Sequence, residues 1–396
     1  MTLEDIVRSP ELRGSYVSNR IDVGQPAAWG DLRWTGGIDP DAQVFIRTRS
    51  GADEDPTLFW ERTGRGDQRV QVTRAQYKEL ELGEQAGTTY DLDNWTPWSS
   101  PYDFAESAGT PITSLGPRRF LQFKVDFKGG GDAGGRVDFL EFRASAPPAA
   151  SELLGEIAPI VADLGKETQF TYTLRPVIGM RNPGFDHLEL TASAARFLSI
   201  EAVRINNVDV PFAETLEDHR LEVGVRPLGQ PDSGIPVEVV FTAAVFRFGT
   251  AFNARVFNSA EPLEAPQRVT PGNARDAAEG DRLTVETTAK RGALLGLIVL
   301  PPVFTPNGDR INDSTDLTYD VYEATHAVQV DIEIRDLGGG LVRSYAGMGE
   351  IGRHAQTWDG RDASGHVVPA GVYLCRVVVD ADDEKGEQIR TIRVVY

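Results

Sequence analysis

The sequence predicts an all-β protein built of three consecutive β-sandwiches. Three observations predict it. Short segments of alternating apolar and polar residues, cut by Gly and Pro, recur from Gly14 to the C-terminus, as antiparallel strands with one buried face do. A chain of 396 residues is too long for one core and divides into domains of ordinary size. The stretch Ala144-Ser145-Ala146-Pro147-Pro148-Ala149-Ala150-Ser151 has the composition of a linker between two such domains.

Residues 1–12 read as a helical or irregular lead-in. The first domain, 1–147, takes its strands from Ile21-Asp22-Val23, Asp31 to Trp34, Val44 to Arg49, Phe120 to Phe127 and Val137 to Phe142. Within it, 52–94 reads as an insertion, and Thr73 to Leu80 carries an N-cap residue followed by good helix formers, so a short helix is expected there. The second domain, 148–292, places strands at Gln169 to Leu174, His187 to Thr191, Val203 to Ile205, Leu221 to Val223, Val237 to Phe241, Ala254 to Phe257 and Leu283 to Val285. The third, 293–396, includes Val328 to Ile334 and Ile389 to Val395. No repeat of fixed period links the three.

Composition narrows function by exclusion. Forty basic against 59 acidic residues leave a net charge of −19, which repels phosphate backbones and anionic lipid and disfavours nucleic-acid or membrane-surface binding. The one cysteine, Cys375, rules out an intrachain disulfide framework, and in Val372 to Val377 it reads as a small buried hydrophobe. The apolar stretch Ala293 to Val303 is too short to span a bilayer and is broken by Pro301-Pro302. The first twenty residues hold Glu4, Asp5, Arg8, Glu11, Arg13 and Arg20, with no secretion-signal pattern. The expectation is a signal already removed, or a chain that continues something longer.

The last hundred residues carry Phe304-Thr305-Pro306-Asn307-Gly308-Asp309 with Asn312-Asp313. Trp358-Asp359-Gly360, Gly365 and Pro369-Ala370-Gly371-Val372-Tyr373 follow in order. On these residues the region resembles the immunoglobulin-like domain of flagellar hook-capping proteins and the related C-terminal domains of gliding-motility and type IX-secreted proteins. That family usually has glycine where this chain has Arg310. The first domain, on Trp29 to Trp34, Arg47-Thr48-Arg49-Ser50-Gly51, Trp95-Thr96-Pro97-Trp98-Ser99 and Arg118 to Phe123, resembles discoidin-like (galactose-binding-like) sandwiches of bacterial extracellular proteins. The middle domain reads as a generic immunoglobulin-like or cohesin-like sandwich. The resemblances imply jelly-roll and immunoglobulin-like sandwiches and an extracellular or cell-surface setting.

Two constellations stand as candidate sites. Asn307, Asp309, Asn312 and Asp313 offer oxygens to a hard cation such as Ca2+, and equally the Asx side chains of a tight turn. Ile311 in the fifth position and the missing twelfth-position Glu depart from an EF-hand. Of six tryptophans, five lie in the first hundred residues. Trp34 and Trp98 are expected in a sandwich core, whereas Trp60, in the insertion, is the one expected to bind a ligand such as a sugar face. Arg65-Gly66-Asp67 spells an adhesion tripeptide of a kind that chance supplies often, and Gly129-Gly130-Gly131-Asp132 reads as a turn. Scattered histidines and the lack of a Gly-x-Ser-x-Gly elbow supply no catalytic constellation.

The expected role is therefore non-catalytic: assembly or attachment at the surface. The terminal sandwich would dock or sort, with other protein subunits or surface components as partners and a homo-oligomer or fibre as the product. The alternative is the glycan-binding accessory region of a secreted hydrolase, and a hook-associated flagellar role is the third.

Overall fold

A computed structural model describes residues 13–64, 66–129, 133–275, 281–288, 295–381 and 384–396. The lead-in at 1–12, Arg65 of the adhesion tripeptide and positions 130–132 of the glycine turn lie outside the described residues. The architecture is all-β, with three buried cores along the chain.

The first core gathers Ala27, Trp29, Leu32, Trp34, Val44, Ile46, Tyr102, Ile112, Leu121, Val125, Phe127 and Val137. Its two layers share one strand, Ile21–Ile38, 18 residues long. That strand pairs with Arg118–Lys128 through Ile21, Asp22 and Ala27. It then shifts register and pairs with Gly135–Ser145 from Ala28 to Ile38. Arg118–Lys128 also receives Arg13–Val17 and Gln43–Gly51, both antiparallel. The insertion forms a separate three-stranded sheet, Thr57–Arg62 between Arg69–Val72 and Gln85–Tyr90. The expected helix is present at Arg74–Glu79, opened by a capping box between Thr73 and Gln76, which satisfies two otherwise orphaned amides. It lies against the sheet through Phe59 and Tyr77, ring centroids 5.2 Å apart.

The second core is the largest, with Phe241 and Phe252 in contact with each other and with both Phe170 and Phe197 at centroid distances of 5.3 to 5.8 Å. One layer runs Val208–Asp209, Ala195–Ile205, Val237–Val245, Glu167–Val177, Glu152–Ala158, Thr270–Pro271. The facing layer runs Ala213–Glu217, Arg220–Leu228, Phe185–Thr191, Asn253–Phe257, Gln267–Arg268. The third core packs Trp358, Phe304, Tyr373 and Cys375 between two sheets. One is Leu295–Leu300, Thr315–Val321, Gly352–Trp358; the other is Val303–Phe304, Glu384–Val394, Gly371–Ala381, Val328–Asp336, Leu341–Gly349.

In the second and third sandwiches the entering chain pairs in parallel with the leaving chain. Leu154 and Gly155 face Thr270 and Pro271, and Val161 and Ala162 face Glu286 and Thr287. In the third, Val303 and Phe304 face Arg393 and Val394. The first sandwich has only antiparallel pairs among its named strands.

The stretch 144–151, expected as a linker, is packed instead. Gly135–Ser145 carries its strand to Ser145, and Ala150 is fully buried in the second core. The Ser145 hydroxyl accepts the Ala265 amide at 2.5 Å. Gly30 approaches so closely that a Cβ there would lie 2.8 Å from the Ala265 Cβ. Small residues that resemble a flexible tether in composition serve here as a close-packed joint. A second joint centres on Tyr322, whose ring stacks on Phe246 at 6.2 Å. The Glu323 amide donates to Phe246 O at 3.0 Å, the Phe248 amide donates to Glu323 Oε1 at 2.9 Å, and Arg353 reaches Gly165 O at 3.3 Å. The protein exposes 21184 Å² of surface. A single compact globule of this mass would expose about 15,000 Å² and three separate ones about 20,500 Å². The modules therefore meet over small but specifically bonded areas.

Candidate functional site

The loop at the head of the third sandwich is built by its own side chains. Asp313 accepts the amides of Gly308 at 2.7 Å and Arg310 at 2.6 Å, one on each carboxylate oxygen. Asp309 accepts the Ile311 amide at 2.7 Å and the Asn307 side-chain amide at 3.1 Å. Asn307 Oδ1 accepts the Asp309 amide at 2.9 Å, and the Asn312 carbonyl accepts the Thr305 amide at 2.7 Å. Three residues take left-handed backbone: Gly308 at φ +84°, Arg310 at +70° and Asn312 at +54°. The four residues expected around a cation are thus brought together, with Asp309 and Asp313 directed at the loop's own amides, as in Asx turns. Among the described residues no three His, Cys, Asp or Glu side chains gather as a metal cluster.

Behind this loop, Trp358 is fully buried, and its indole N–H donates to Arg361 O at 3.0 Å. It packs edge-on against Phe304 and Tyr373, each at 5.4 Å. The hairpin closes through Gly360 at φ +70° and Gly365 at φ +83°. The Trp-Asp-Gly signature is an anchor for the turn. Cys375 is fully buried, and burial pushes its thiol up to about 12, far from a reactive thiolate.

The tryptophans of the first sandwich divide otherwise than expected. Trp29, Trp34 and Trp95 are buried, but Trp98 is only half-buried and covers Arg49 rather than filling the core. The Arg49 guanidinium lies 4.4 Å from the Trp98 ring, 5.2 Å from Tyr90 and 5.3 Å from Trp95. It donates through Nε and Nη2 to Gln122 Oε1 at 3.0 and 2.6 Å. Desolvation lowers its pKa from the ordinary arginine value, and the aromatic faces supply the compensating cation–π attraction. Sequence reading missed this cage because Arg49 and Gln122 meet only through the pairing of distant strands.

Trp60 lies on the inserted sheet, half-buried. Its indole N–H donates to Thr89 Oγ1 at 2.7 Å, and the Arg69 guanidinium covers one ring face at 4.5 Å. The face that a sugar could stack upon is thus already partly taken by an arginine. Beyond Arg69 opens a cleft of 340 Å³ lined by Arg62, Gly66, Asp67, Gln68, Arg69 and Ala86.

Compared with known proteins, residues 308–383 match the family model of the FlgD Ig-like domain. The third sandwich is therefore an Ig-like C-terminal domain. No curated protein matches the chain in sequence. Among solved structures, latent PorU from Porphyromonas gingivalis overlaps 97% of this chain at 12% identity, with a TM-score of 0.23. The adhesin InvE of Yersinia pseudotuberculosis overlaps 62% of it at 12% identity and a TM-score of 0.19. BcpA, the major pilin subunit of Bacillus cereus, overlaps 89% at 10% identity and a TM-score of 0.24. This chain spans 34% of the PorU chain, 59% of the InvE chain and at least 95% of the BcpA chain. At such TM-scores these overlaps carry no functional argument.

Proposed function

We propose that this chain is a non-catalytic extracellular or cell-surface protein of structural assembly or attachment, its C-terminal sandwich serving as the docking or sorting module. The observation that carries the reading is the outer edge of that sandwich. Leu341–Gly349 pairs only with Val328–Asp336 and forms the margin of its sheet. Along it Ser344, Ala346, Gly347 and Met348 are exposed, and Arg343 is its one charged residue. Apart from the ladder, one backbone bond among the described residues reaches the strand, from the Ala363 amide to Val342 O at 2.9 Å. Soluble proteins usually blunt such margins with charge, proline or a covering loop. A bare one suits an added strand from a partner, and repeated head-to-tail addition builds a fibre. The FlgD Ig-like match over 308–383 supports the surface setting. We also assign the first sandwich to the discoidin-like type on its tryptophan and Arg47 to Gly51 signatures.

Light scattering with negative-stain imaging of the full chain across a concentration series tests the reading. Mass that grows with concentration, and returns to one chain in Ala346→Lys, is the expected result. A single-chain mass at every concentration removes self-assembly. Running the series with calcium and with a chelator tests the cation reading of Asn307, Asp309, Asn312 and Asp313. A calcium-dependent mass or melting temperature assigns the loop an ion; identical behaviour leaves the turn as its whole role.

A further inference from the structure

We propose that the cleft at the tip of the inserted sheet binds a carboxylate-bearing sugar, a uronic acid, between Arg62 and Arg69. The site lies in the insertion and is independent of how the terminal module docks. Arg62 and Arg69 sit directly opposite one another across the hairpin. Like charges in that cross-strand position destabilise a sheet. Among the described residues no carboxylate lies within ion-pair distance of either, Asp67 of the cleft lining included, and the local offset is the Trp60 ring beneath Arg69. A protein with 59 acidic residues and 40 basic ones thus sets two arginines face to face and leaves both without a counter-ion. A bound anion relieves that conflict, and violations of local rules of this kind are characteristic of functional sites.

The surroundings say what kind of anion. The Arg69 guanidinium sits over the Trp60 ring at 4.5 Å, and its N–H groups, which have no ion-pair partner among the described residues, can meet a planar carboxylate in the two-bond mode. Trp60 is itself fixed by its bond to Thr89, so it is a positioning residue for Arg69 rather than the stacking platform. Among the described residues the rest of the lining is Gly66, Asp67, Gln68 and Ala86: Gln68 and Asp67 offer polar groups to sugar hydroxyls, and Ala86 one apolar contact. At 340 Å³ the cleft sits at the small end of ligand sites, the scale of one sugar unit rather than a chain. The net charge of −19 opposes anions at long range, but beyond about 8 Å that repulsion is screened at physiological salt.

Isothermal titration of the full chain with D-galacturonate, D-galactose and inorganic phosphate tests the site. Galacturonate is expected to bind at least about tenfold tighter than galactose, since charge-assisted bonds contribute about twice as much as neutral ones. Arg62→Gln and Arg69→Gln should each weaken galacturonate by about tenfold or more. Because Arg62→Gln also removes the like-charge opposition, its melting temperature should hold or rise while affinity falls, a pairing that general damage to the fold does not produce. Trp60→Phe should raise Kd by a smaller factor, and the Trp60 indole N–H resonance should shift on titration. Equal affinity for galactose, or phosphate binding as tightly as galacturonate, overturns the assignment. So does no heat or shift at about 10 mM galacturonate, which bounds Kd well above the millimolar range.

Discussion

Arg310 holds its backbone at φ +70° in the head loop of the third sandwich, a conformation that costs an L-residue about 1–2 kcal/mol. It is kept there because its amide donates to Asp313 Oδ2, a main-chain bond that any residue could make. Glycine, usual at this position in the resembling family, would lose the strain but add freedom to the unfolded chain. Arg310→Gly should therefore stabilise the module by roughly 0.5–1 kcal/mol net. That corresponds to a rise of about 2–6 °C in the melting temperature of a unit this size. A lower melting temperature by calorimetry would refute the strain argument. Asn312, at φ +54° in the same loop, belongs to a residue type that tolerates this region better, so the same exchange there should matter less.

At the scale of elements, the strand Phe185–Thr191 shows how a buried charge is managed. Glu189 is buried at 3% exposure on the central strand of its layer. Burial alone raises its pKa. Hydrogen bonds from Arg255 at 2.6 Å and Arg220 at 2.7 Å outweigh that and leave it below the ordinary 4.5. Because the folded value lies below the unfolded one, the stabilisation is complete above about pH 4.5 and is lost as pH falls through the folded value. Glu189→Gln should cost about 1–3 kcal/mol at pH 7, since Arg255 loses its carboxylate while Arg220 keeps Glu217 and Glu222. In urea unfolding the gap between wild type and variant should narrow as the pH is taken below 4 (roughly the range over which native-state carboxylates protonate). A gap that is constant with pH would show that Glu189 contributes only shape. What was legible here follows from period two: Val330, Ile332 and Ile334 are buried while Gln329 and Asp331 are exposed, as their alternation predicts. The capped helix at Arg74–Glu79 was legible because Thr73 and Gln76 act within one turn. The Arg49 cage and the Arg62–Arg69 opposition were not, because each depends on strand register, which alternation alone leaves open.

For the whole molecule, three cores were legible from length and punctuation, but the joints between them were not. Ala144 to Ser151 has the composition of a tether, and only the close approach of Gly30 to Ala265 and the bond from the Ala265 amide to Ser145 reveal a fixed corner. Tyr322 gave no signal at all, since a tyrosine one residue past the end of a strand predicts nothing about the module it will meet. The parallel pairing of entering and leaving strands in the second and third sandwiches has a mechanical consequence. Tension applied along the chain pulls Leu154 to Gly155 against Thr270 to Pro271, and Val303 to Phe304 against Arg393 to Val394, along the strand axes. Such load falls on the bonds of each clasp together, in shear. In the first sandwich the outermost strands pair antiparallel, so load peels their bonds open one after another. Pulled by its ends in a force-spectroscopy experiment, the protein should give up its first sandwich at the lowest force and hold the other two to higher ones; the reverse order would disprove it. Stretched between its ends, the chain would then lengthen in stages, its N-terminal module yielding before the two that follow.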